Sequence, residues 1–418
     1  MYSWANDLFP ICRSITGPGV RETLLYIKNI IDDIRIYEVP TGKKVFDWTI
    51  PKEWSVNEAW IEDSRGNKIL DFKNNNLHLV GYSRPVDKII DLDELQNHLY
   101  SLPDQPDAIP YVTSYYKEDW GFCISHNQRK LLKDGKYKIL INSELKKGVL
   151  NYGEVLIKGN SKKEIFLSTY ICHPSLANNE LSGPVVSIAL AQWLKSKLDL
   201  KYSYRIVFIP ETIGSITYLS KNYQDLKENV IAGFNISCVG DDLSYSYLPS
   251  RDGKTLSDKA ALHSLAHLSD DFKKYTWLDR GSDERQYCAP GIDLPIASIM
   301  RTKYGEYPEY HTSLDNMSFI SPNGLNGAFN VISHAIGCIE SNLTPVASIM
   351  GEPQLSKRGL YPDTSMKGSA NDTKIIMNIL TYADGKRDLI DISNLLNLPL
   401  WEVKQIVNLL HERDLISF

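Results

Sequence analysis

The stretch EIFLSTYICHPSLANNELSG, residues 164–183, decides the fold class of this 418-residue chain. Its first eight residues have the apolar pattern of a buried strand, and the residues from 183 onward have the period of a helix. Between them lies a polar loop that carries His173, Asn179 and Glu180, with Ser182 as the expected N-cap of the helix. A strand, a polar loop and a helix in this order predict one unit of an α/β sheet.

The same alternation continues from about residue 155 to residue 342. Further strands are predicted at 204–209, 230–238 and 294–300, and a second helix at 324–340. Alternating strands and helices favour a sheet with helices on both faces. In such sheets the loops after the strands line the crevice in which ligands bind, so the polar residues of these loops are the candidate functional residues.

Three further segments complete the predicted organisation before the C-terminus. Residues 1–35 are predicted to be helical and to form one α/β domain together with 155–342. Residues 36–154 consist of short alternating segments broken by Gly, Pro and Asn, which predicts an inserted β-rich domain. Residues 343–371 are rich in Pro, Gly and Ser and are predicted to be a linker.

The last segment, residues 372–418, has the helix spacing of a winged-helix or helix-turn-helix module, with helices predicted at 373–383, 389–396 and 400–415. Such modules commonly bind DNA. From Asn371 to the C-terminus, however, there are five Lys and Arg against seven Asp and Glu, a net charge of −2. Because DNA binding requires a basic surface, the sequence favours a packing or protein-contact role, and nucleic acid is not an expected partner.

The composition is typical of a soluble globular protein. Hydrophobic residues make up 43% and charged residues 23% of the chain, and the net charge is −5. No apolar run is long enough to predict a membrane span, so a membrane is not an expected partner. The N-terminus lacks the basic start and apolar core of a secretory signal. Six scattered cysteines without a Cys-x-x-Cys pair favour free thiols and a cytoplasmic location.

The candidate catalytic residues lie in the loops at the strand ends. His173 and His311 are candidate metal ligands, because neutral imidazoles together with carboxylates are ligands that Zn²⁺ prefers. Glu211 directly follows an apolar strand and is predicted to be the general base for a metal-activated water. Asp283 and Glu284, in a polar loop before the strand at 294–300, are predicted to orient or complete the site. For each residue alone, a buried structural histidine or a solvated carboxylate remains the alternative.

Four short motifs resemble, in their order along the chain, those of the co-catalytic zinc exopeptidases, a superfamily that includes bacterial leucyl aminopeptidases and glutamate carboxypeptidase. They are LSG at 181–183, E-x-x-G-S at 211–215, GSD at 281–283 and YHT at 310–312. Longer stretches, LFPICRSITG at 8–17, ICHPSLAN at 171–178 and GSDERQYC at 281–288, resemble a bacterial group of aminopeptidase-like proteins long described only as a domain of unknown function. The resemblance implies a three-layer, zinc-exopeptidase-like mixed sheet with an inserted β domain and a C-terminal winged helix. It also implies an association with polysaccharide or secondary-metabolite biosynthesis.

The resemblance assigns His173 and His311 as metal ligands and Glu211 as the base. Three positions at which the zinc exopeptidases carry carboxylate ligands hold neutral residues here, namely Asn179, Thr212 and Ser237. A neutral amide cannot offset the repulsion between two divalent cations. One zinc ion per chain is therefore expected, held by the two histidines and an acidic residue.

Asn179, at the position of the bridging aspartate, is a candidate metal residue as well. Three acidic residues nearby in the sequence are candidates to complete this metal site, namely Glu180, Asp241 and Asp283. Candidate substrate residues are three arginines and a tyrosine close to the motifs, namely Arg13, Arg285, Arg301 and Tyr310. Arginine suits bidentate recognition of a carboxylate or phosphate, although a structural ion pair explains each arginine equally well.

The resemblance predicts a zinc-dependent hydrolase similar to an aminopeptidase, which cleaves an amide in a small peptide or an aminoacylated small molecule. The alternative is a degenerate peptidase fold that binds a ligand or a protein without catalysis. A DNA-binding regulator is a third hypothesis, which rests only on the helix spacing at the C-terminus. A homodimer is expected from the class and not from any residue.

Overall fold

The computed structural model describes residues 1–360 and 371–418, and its centre is an eight-stranded mixed sheet. The strands are β1 Arg35–Pro40, β2 Lys44–Val45, β3 Trp48–Thr49, β4 Glu53–Asp63, β5 Lys68–Asp71, β6 Val86–Asp91, β7 Leu99–Tyr100, β8 Phe122–Cys123, β9 Lys136–Lys146, β10 Val149–Ile157, β11 Glu164–Tyr170, β12 Ser203–Ile209, β13 Val230–Asn235, β14 Ser246–Leu248, β15 Lys273–Lys274, β16 Ile296–Met300, β17 Val346–Ala347 and β18 Ile416–Ser417.

Helices flank this sheet and form the C-terminal unit. They are α1 Tyr2–Leu8, α2 Pro18–Ile30, α3 Leu92–Gln96, α4 His126–Lys130, α5 Ser182–Lys195, α6 Ile213–Asn229, α7 Leu256–Leu268, α8 Glu284–Tyr287, α9 Pro322–Ser341, α10 Asn371–Tyr382, α11 Leu389–Leu396 and α12 Leu400–Glu412. The predicted strands and helices of the α/β domain are all present. Both β13 and α5 end three residues before their predicted ends at residues 238 and 198.

The central sheet has the strand order β1-β10-β12-β11-β13-β16-β14-β15. Strands β12, β11, β13 and β16 are parallel, so their carboxyl ends meet at one edge. Alternate residues of β11 enter two different cores: Ile165 and Leu167 pack with residues of α5, α7 and α9, whereas Phe166 packs with residues of α6 on the other face. This arrangement is the predicted three-layer α/β architecture.

Helix α5 lies very close to the strands at its N-terminus. A Cβ atom on Gly183 would lie 2.4 Å from the carbonyl oxygen of Ile236 and 2.4 Å from Oγ1 of Thr169. Only glycine fits at this contact, which accounts for the Leu-Ser-Gly motif in physical terms.

The inserted β domain is smaller than the predicted range 36–154. Strands β1 and β10 belong to the central sheet, where Tyr37 pairs with Tyr152. The insertion proper therefore lies between these two strands, and its main sheet has the antiparallel order β5-β4-β9-β6. Alternation of apolar and polar residues predicts a strand but does not tell which sheet the strand joins.

The C-terminal unit consists of α10, α11, α12 and the antiparallel strand pair β17–β18. The predicted linker 343–371 is structured at its start, because Val346–Ala347 pairs with Ile416–Ser417. Part of that linker, residues 361–370, lies outside the described residues.

The third helix of this unit, α12, begins against the α/β domain. His263 of α7 accepts a hydrogen bond from the backbone N–H of Leu400 through Nε2 at 2.8 Å, and its Nδ1 lies 2.7 Å from Oδ1 of Asn394. Trp401 packs beside His334 of α9, with ring centres 4.7 Å apart. The first two residues of α12, Leu400 and Trp401, therefore contact the α/β domain.

Within residues 1–360 and 371–418, no helix combines the length and the apolar character needed to cross a bilayer. All six cysteines are free thiols.

Candidate active site

The three residues with the strongest sequence signal converge at the carboxyl edge of the central sheet. His173 follows β11, Glu211 follows β12 and His311 lies in the loop after β16. The ring centres of His173 and His311 are 5.4 Å apart, and Nε2 of His173 is 3.6 Å from Oε2 of Glu211. The sheet topology therefore joins residues that are far apart in the sequence.

The Nδ1 side of His173 contacts a buried carboxylate, that of Glu180. Its Nδ1 lies 2.8 Å from Oε2 of Glu180, and its backbone carbonyl accepts a hydrogen bond from Nε of Arg13 at 3.0 Å. Burial alone would lower the pKa of His173, but the hydrogen bond and the charge of Glu180 raise it above the ordinary value. Because Glu180 binds Nδ1, Nε2 is the ring nitrogen that faces Glu211 and can bind a metal. The oxygen of Glu180 nearest to His173 is thus used to orient the ring and is not placed as a direct metal ligand.

Glu211 is half-buried and its two oxygens have different surroundings. Oε1 accepts a hydrogen bond from Oγ of Ser282 at 2.9 Å, which leaves Oε2 facing His173. The next residue, Thr212, has a φ of +63°, a sharp turn that begins α6 and directs Glu211 toward the site. Burial raises the pKa of Glu211, while the charges of His173 and Arg285 and the Ser282 hydrogen bond act against this rise. A carboxylate with a raised pKa is well matched to general-base catalysis.

Asp283 and Glu284 are neighbours in the sequence but have different roles. Oδ1 of Asp283 accepts hydrogen bonds from the N–H of Thr212 at 2.8 Å and from Oγ of Ser215 at 2.7 Å, whereas its buried Oδ2 has no protein partner. Burial and the charge of Glu211 raise the pKa of Asp283 to about 8. Asp283 therefore belongs to the site, beside Glu211.

Glu284 has a structural role, because it stabilises the loop that precedes it. Its Oε1 accepts hydrogen bonds from the backbone of Gly281 and Ser282 and from the hydroxyl of Tyr304, and its Oε2 accepts one from Nδ2 of Asn235. With both oxygens occupied in this way, Glu284 is not available to complete the site as a ligand. Its bond to the N–H of Ser282, whose hydroxyl binds Glu211, fits the other predicted role, that of orienting the site.

Asp241 and Arg301 also have structural roles. The carboxylate of Asp241 accepts four hydrogen bonds, from Nδ2 of Asn178, from the N–H and hydroxyl of Thr302 and from the N–H of Leu243. Nε of Arg301 donates to the carbonyl oxygen of Asp241 at 2.7 Å, and its guanidinium stacks on Tyr245. Neither the metal-ligand role expected for Asp241 nor the substrate role expected for Arg301 fits this geometry.

The remaining three candidate substrate residues differ in whether a substrate can reach them. Arg13 is 1% exposed and lies behind His173, so no substrate reaches it. Arg285 is exposed, and its Nη2 donates to Oγ1 of Thr212 at 2.8 Å, next to Glu211. Tyr310 stacks on His311 with ring centres 3.9 Å apart. Arg285 and Tyr310 therefore remain candidate substrate residues, because they lie next to Glu211 and His311.

Asn179 lies in a π-helical turn, Ala177–Leu181, that leads directly into α5. Its backbone N–H donates to the carboxylate of Asp315 at 2.9 Å, and its Nδ2 donates to the hydroxyl of Tyr170 at 2.9 Å. Its side-chain oxygen is buried without a partner. The expected N-cap role of Ser182 is wrong, because Ser182 is already helical and its hydroxyl donates back to the carbonyl of Asn178. Turns of this kind are frequent at functional sites.

One residue of the site comes from the inserted domain and was not predicted. Tyr111 lies with its ring centre 5.1 Å from that of His173 and 5.2 Å from that of His311. No motif in the sequence connects the loop around residue 111 with either histidine, because the contact depends on how the insertion folds back onto the central sheet.

The side chains present fit one metal ion and not two. Imidazoles bound to one tetrahedral zinc have ring centres about 5 Å apart, which is close to the observed 5.4 Å between His173 and His311. Oδ2 of Asp283, next to Glu211, is buried without a hydrogen-bond partner, and a cation at this site would satisfy it. The neutral residues at the three positions expected to carry carboxylates leave a second ion without its charged ligands.

A second arrangement of metal-ligand types lies on the other side of the same ring, where Cys172, His173 and Glu180 are close together. There Nδ1 of His173 is already bonded to Glu180, and Sγ of Cys172 accepts the N–H of Glu211 at 3.2 Å. Burial raises the pKa of Cys172 well above its ordinary value, so the sulfur is a thiol and a poor metal ligand. The Nε2 side, which faces Glu211 and His311, is the better position for a metal.

The fold and the site together define a protein with the α/β architecture of the zinc aminopeptidases. A zinc aminopeptidase from Bacillus subtilis superposes with a TM-score of 0.59 at 14% identity, over 80% of this chain and 93% of that chain. A peptidase M28 precursor from Shewanella amazonensis superposes with a TM-score of 0.59 at 12% identity, over 81% and 92%. At these identities the likeness shows the fold alone.

Residues 2–342 match the family described as "Domain of unknown function (DUF4910)", and the chain belongs to this family. Residues 343–418 match a winged helix-turn-helix family, which confirms the predicted C-terminal module. A Clostridium acetobutylicum protein named "Putative polysaccharide biosynthesis protein with aminopeptidase-like domain" is 42% identical, over 100% of this chain and 96% of that protein. A crystal structure of a "putative peptidase" from Clostridium acetobutylicum has a TM-score of 0.93 at 41% identity, over 100% and 95%.

Proposed function

We propose that this chain is a metal-dependent hydrolase of the aminopeptidase type, which binds one zinc ion and cleaves an amide bond in a small peptide or an aminoacylated small molecule. The observation that carries the proposal is the convergence of His173, His311 and Glu211 at the carboxyl edge of the central sheet, with 3.6 Å between Nε2 of His173 and Oε2 of Glu211. The fold shared with zinc aminopeptidases supports it.

The two histidines would hold the ion, which when bound supplies a Lewis acid that polarises the substrate carbonyl and lowers the pKa of a water molecule to about 7. Glu211 would act as the base and accept a proton at Oε2, because Ser282 occupies Oε1. Glu180 keeps the proton of His173 on Nδ1, so that Nε2 stays free as a donor atom. The exposed guanidinium of Arg285 would receive an anionic group of the substrate.

The name of a relative supports a proposal about the class of substrate. Because a protein 42% identical to this chain is named for polysaccharide biosynthesis, we propose that the aminoacylated substrate is a small biosynthetic intermediate rather than a protein. The free thiols support a cytoplasmic location.

The second candidate is a binding module without catalysis, and a specific observation favours it. The three positions at which zinc exopeptidases carry carboxylate ligands hold the neutral residues Asn179, Thr212 and Ser237. A site that lost its metal would still present the same histidines and tyrosines to a ligand.

Metal content and turnover distinguish these two candidates. We would measure zinc per chain by elemental analysis, on protein purified without chelator and again after zinc is added back. The wild type would be compared with His173→Ala and with His126→Ala, a control histidine on α4 of the inserted domain. The hydrolase predicts about one zinc in the wild type and in the control and none in His173→Ala.

Hydrolysis would then be assayed on a panel of aminoacyl amides and dipeptides with Glu211→Gln and with Glu306→Gln, an exposed control carboxylate five residues before His311 in the sequence. Glu211→Gln should retain zinc and lose turnover, whereas Glu306→Gln should behave as the wild type. Retained turnover in Glu211→Gln would reject the role of Glu211. No zinc in the wild type after add-back would favour the binding module.

A further inference from the structure

The inserted β domain reaches the site through the loop that joins β7 to β8. This strap, defined as residues 105–115, is anchored in the inserted domain by backbone hydrogen bonds with Gly81. The N–H of Gly81 donates to the carbonyl of Val112 at 2.9 Å, and the N–H of Ser114 donates to the carbonyl of Gly81 at 2.8 Å. These two bonds fix the strap to the inserted domain, although it carries little regular structure.

On its other side the strap pairs with the segment that carries His311. The N–H of Tyr111 donates to the carbonyl of His311 at 2.8 Å, and the N–H of Ser313 donates to the carbonyl of Ile109 at 2.9 Å. The N–H of Ile109 donates to Oγ of Ser313 at 3.0 Å. Three hydrogen bonds thus connect the inserted domain to one candidate metal ligand, His311, and to Ser313, two residues after it.

The backbone of His311 needs such support. Its φ is +56°, a left-handed conformation that is unfavourable for a residue with a Cβ atom. Conformations of this kind persist only where the surroundings over-determine them, and they concentrate at functional sites. The strap supplies that constraint, because it bonds the carbonyl of the strained residue itself.

The side chain of Tyr111 adds a second constraint. Its ring packs tilted against His173 and edge-on against His311, with ring centres 5.1 and 5.2 Å away. Its hydroxyl lies 2.7 Å from the hydroxyl of Tyr115, which belongs to the same strap. The ring therefore touches both candidate metal ligands and is itself held in one orientation.

We propose that Tyr111 is a positioning residue of the metal site, and that the strap makes metal binding by His173 and His311 depend on the inserted domain. This inference rests on the proposed function, because it assumes that the two histidines bind a metal. It goes further in assigning a role to the insertion, which supplies the constraint that sets the angle between the two imidazoles.

The test is metal affinity and the visible spectrum of the Co²⁺-loaded protein, which reports coordination geometry independently of activity. The variants are Tyr111→Ala, Tyr111→Phe and Tyr116→Ala, the last a control that removes an exposed tyrosine next to the strap. Loss of a group that orients a metal ligand lowers affinity about 10- to 100-fold. We expect this loss and an altered Co²⁺ spectrum in Tyr111→Ala, near wild-type behaviour in Tyr111→Phe, which keeps the ring, and no change in Tyr116→Ala.

Ser313→Ala provides a second variant in case Tyr111→Ala does not fold, because it removes only the side-chain bond between the strap and the His311 segment. A reduced affinity in Ser313→Ala would then support the inference, and an unchanged affinity would overturn it. If the wild type binds Co²⁺ or Zn²⁺ and folded Tyr111→Ala binds it with equal affinity and the same spectrum, this inference fails while the proposed function stands. If the wild type binds neither metal, the proposed function fails and this inference with it.

Discussion

Replacing Glu180 by Gln is expected to weaken metal binding and to destabilise the fold at the same time. Oε2 of Glu180 lies 2.8 Å from Nδ1 of His173, and Oε1 lies 3.5 Å from Nε of Arg13. The side chains of Arg13 and Glu180 are both 0% exposed. Glutamine has the same shape and still accepts a hydrogen bond from His173, but it removes the negative charge that both partners face.

The expected magnitude follows from this burial. Removing one partner of a buried ion pair leaves the other charge uncompensated and costs about 3–5 kcal/mol. Arg13 keeps its hydrogen bonds to the carbonyls of His173 and Leu8, so we expect a loss in the free energy of unfolding near the lower end of this range. Loss of the carboxylate behind a metal-binding histidine lowers metal affinity about 10- to 100-fold.

A double-mutant cycle with Arg13→Met tests the reasoning. Urea unfolding followed by tryptophan fluorescence gives the stability of each variant, and competition with a chelator gives the zinc affinity. Because the cost arises from a lone buried charge, the double variant should be less destabilised than the sum of the single variants, by about 1–3 kcal/mol. Glu144→Gln, which breaks an exposed ion pair with Lys146, is the control and should change stability by less than about 0.5 kcal/mol. Additive losses in the cycle would refute the idea that Arg13 and Glu180 form a coupled, desolvated pair.

Two further predictions concern packing and pH. Gly337→Ala in α9 should stabilise the protein by about 0.5–1 kcal/mol, because the new Cβ meets no atom within 4 Å, whereas Gly183→Ala in α5 should destabilise it by about 1–3 kcal/mol, because its Cβ would lie 2.4 Å from two oxygens. Equal effects of both substitutions in urea unfolding would contradict this. Burial lowers the pKa of His263 below 6.5, and its Nε2 must stay unprotonated to accept the N–H of Leu400. The stabilisation by His263 is therefore complete above pH 6.5 and falls as the pH decreases below it, so the loss in melting temperature between about pH 7.5 and 5.5 should be smaller in His263→Gln than in the wild type.

The fold could be predicted from the sequence because its signals are local. The apolar run of β11, the helical period after residue 183 and the helix spacing at the C-terminus each follow from a few consecutive residues. The domain boundaries were less predictable, because β1 and β10 have the same alternating sequence pattern as the inserted domain but pair with the central sheet.

The candidate site could be predicted only where a residue lies in a loop that follows a predicted strand. His173, Glu211 and His311 have that signal, and the structure places them together. Asp283 and Glu284 look equivalent in the sequence, but one turn of a short helix directs Asp283 toward Glu211 and Glu284 toward the loop backbone.

The sequence by itself determined the α/β class, the winged helix and the strand-end residues that carry the proposed chemistry, because hydrophobic period and position after a strand are properties of neighbouring residues. Only the tertiary structure decided which polar groups surround His173. Arg13 from the N-terminal segment and Tyr111 from the inserted domain reach this histidine through contacts between segments distant in the chain. Such contacts depend on the direction of each side chain and on how the domains fold together, and neither leaves a pattern in the local sequence.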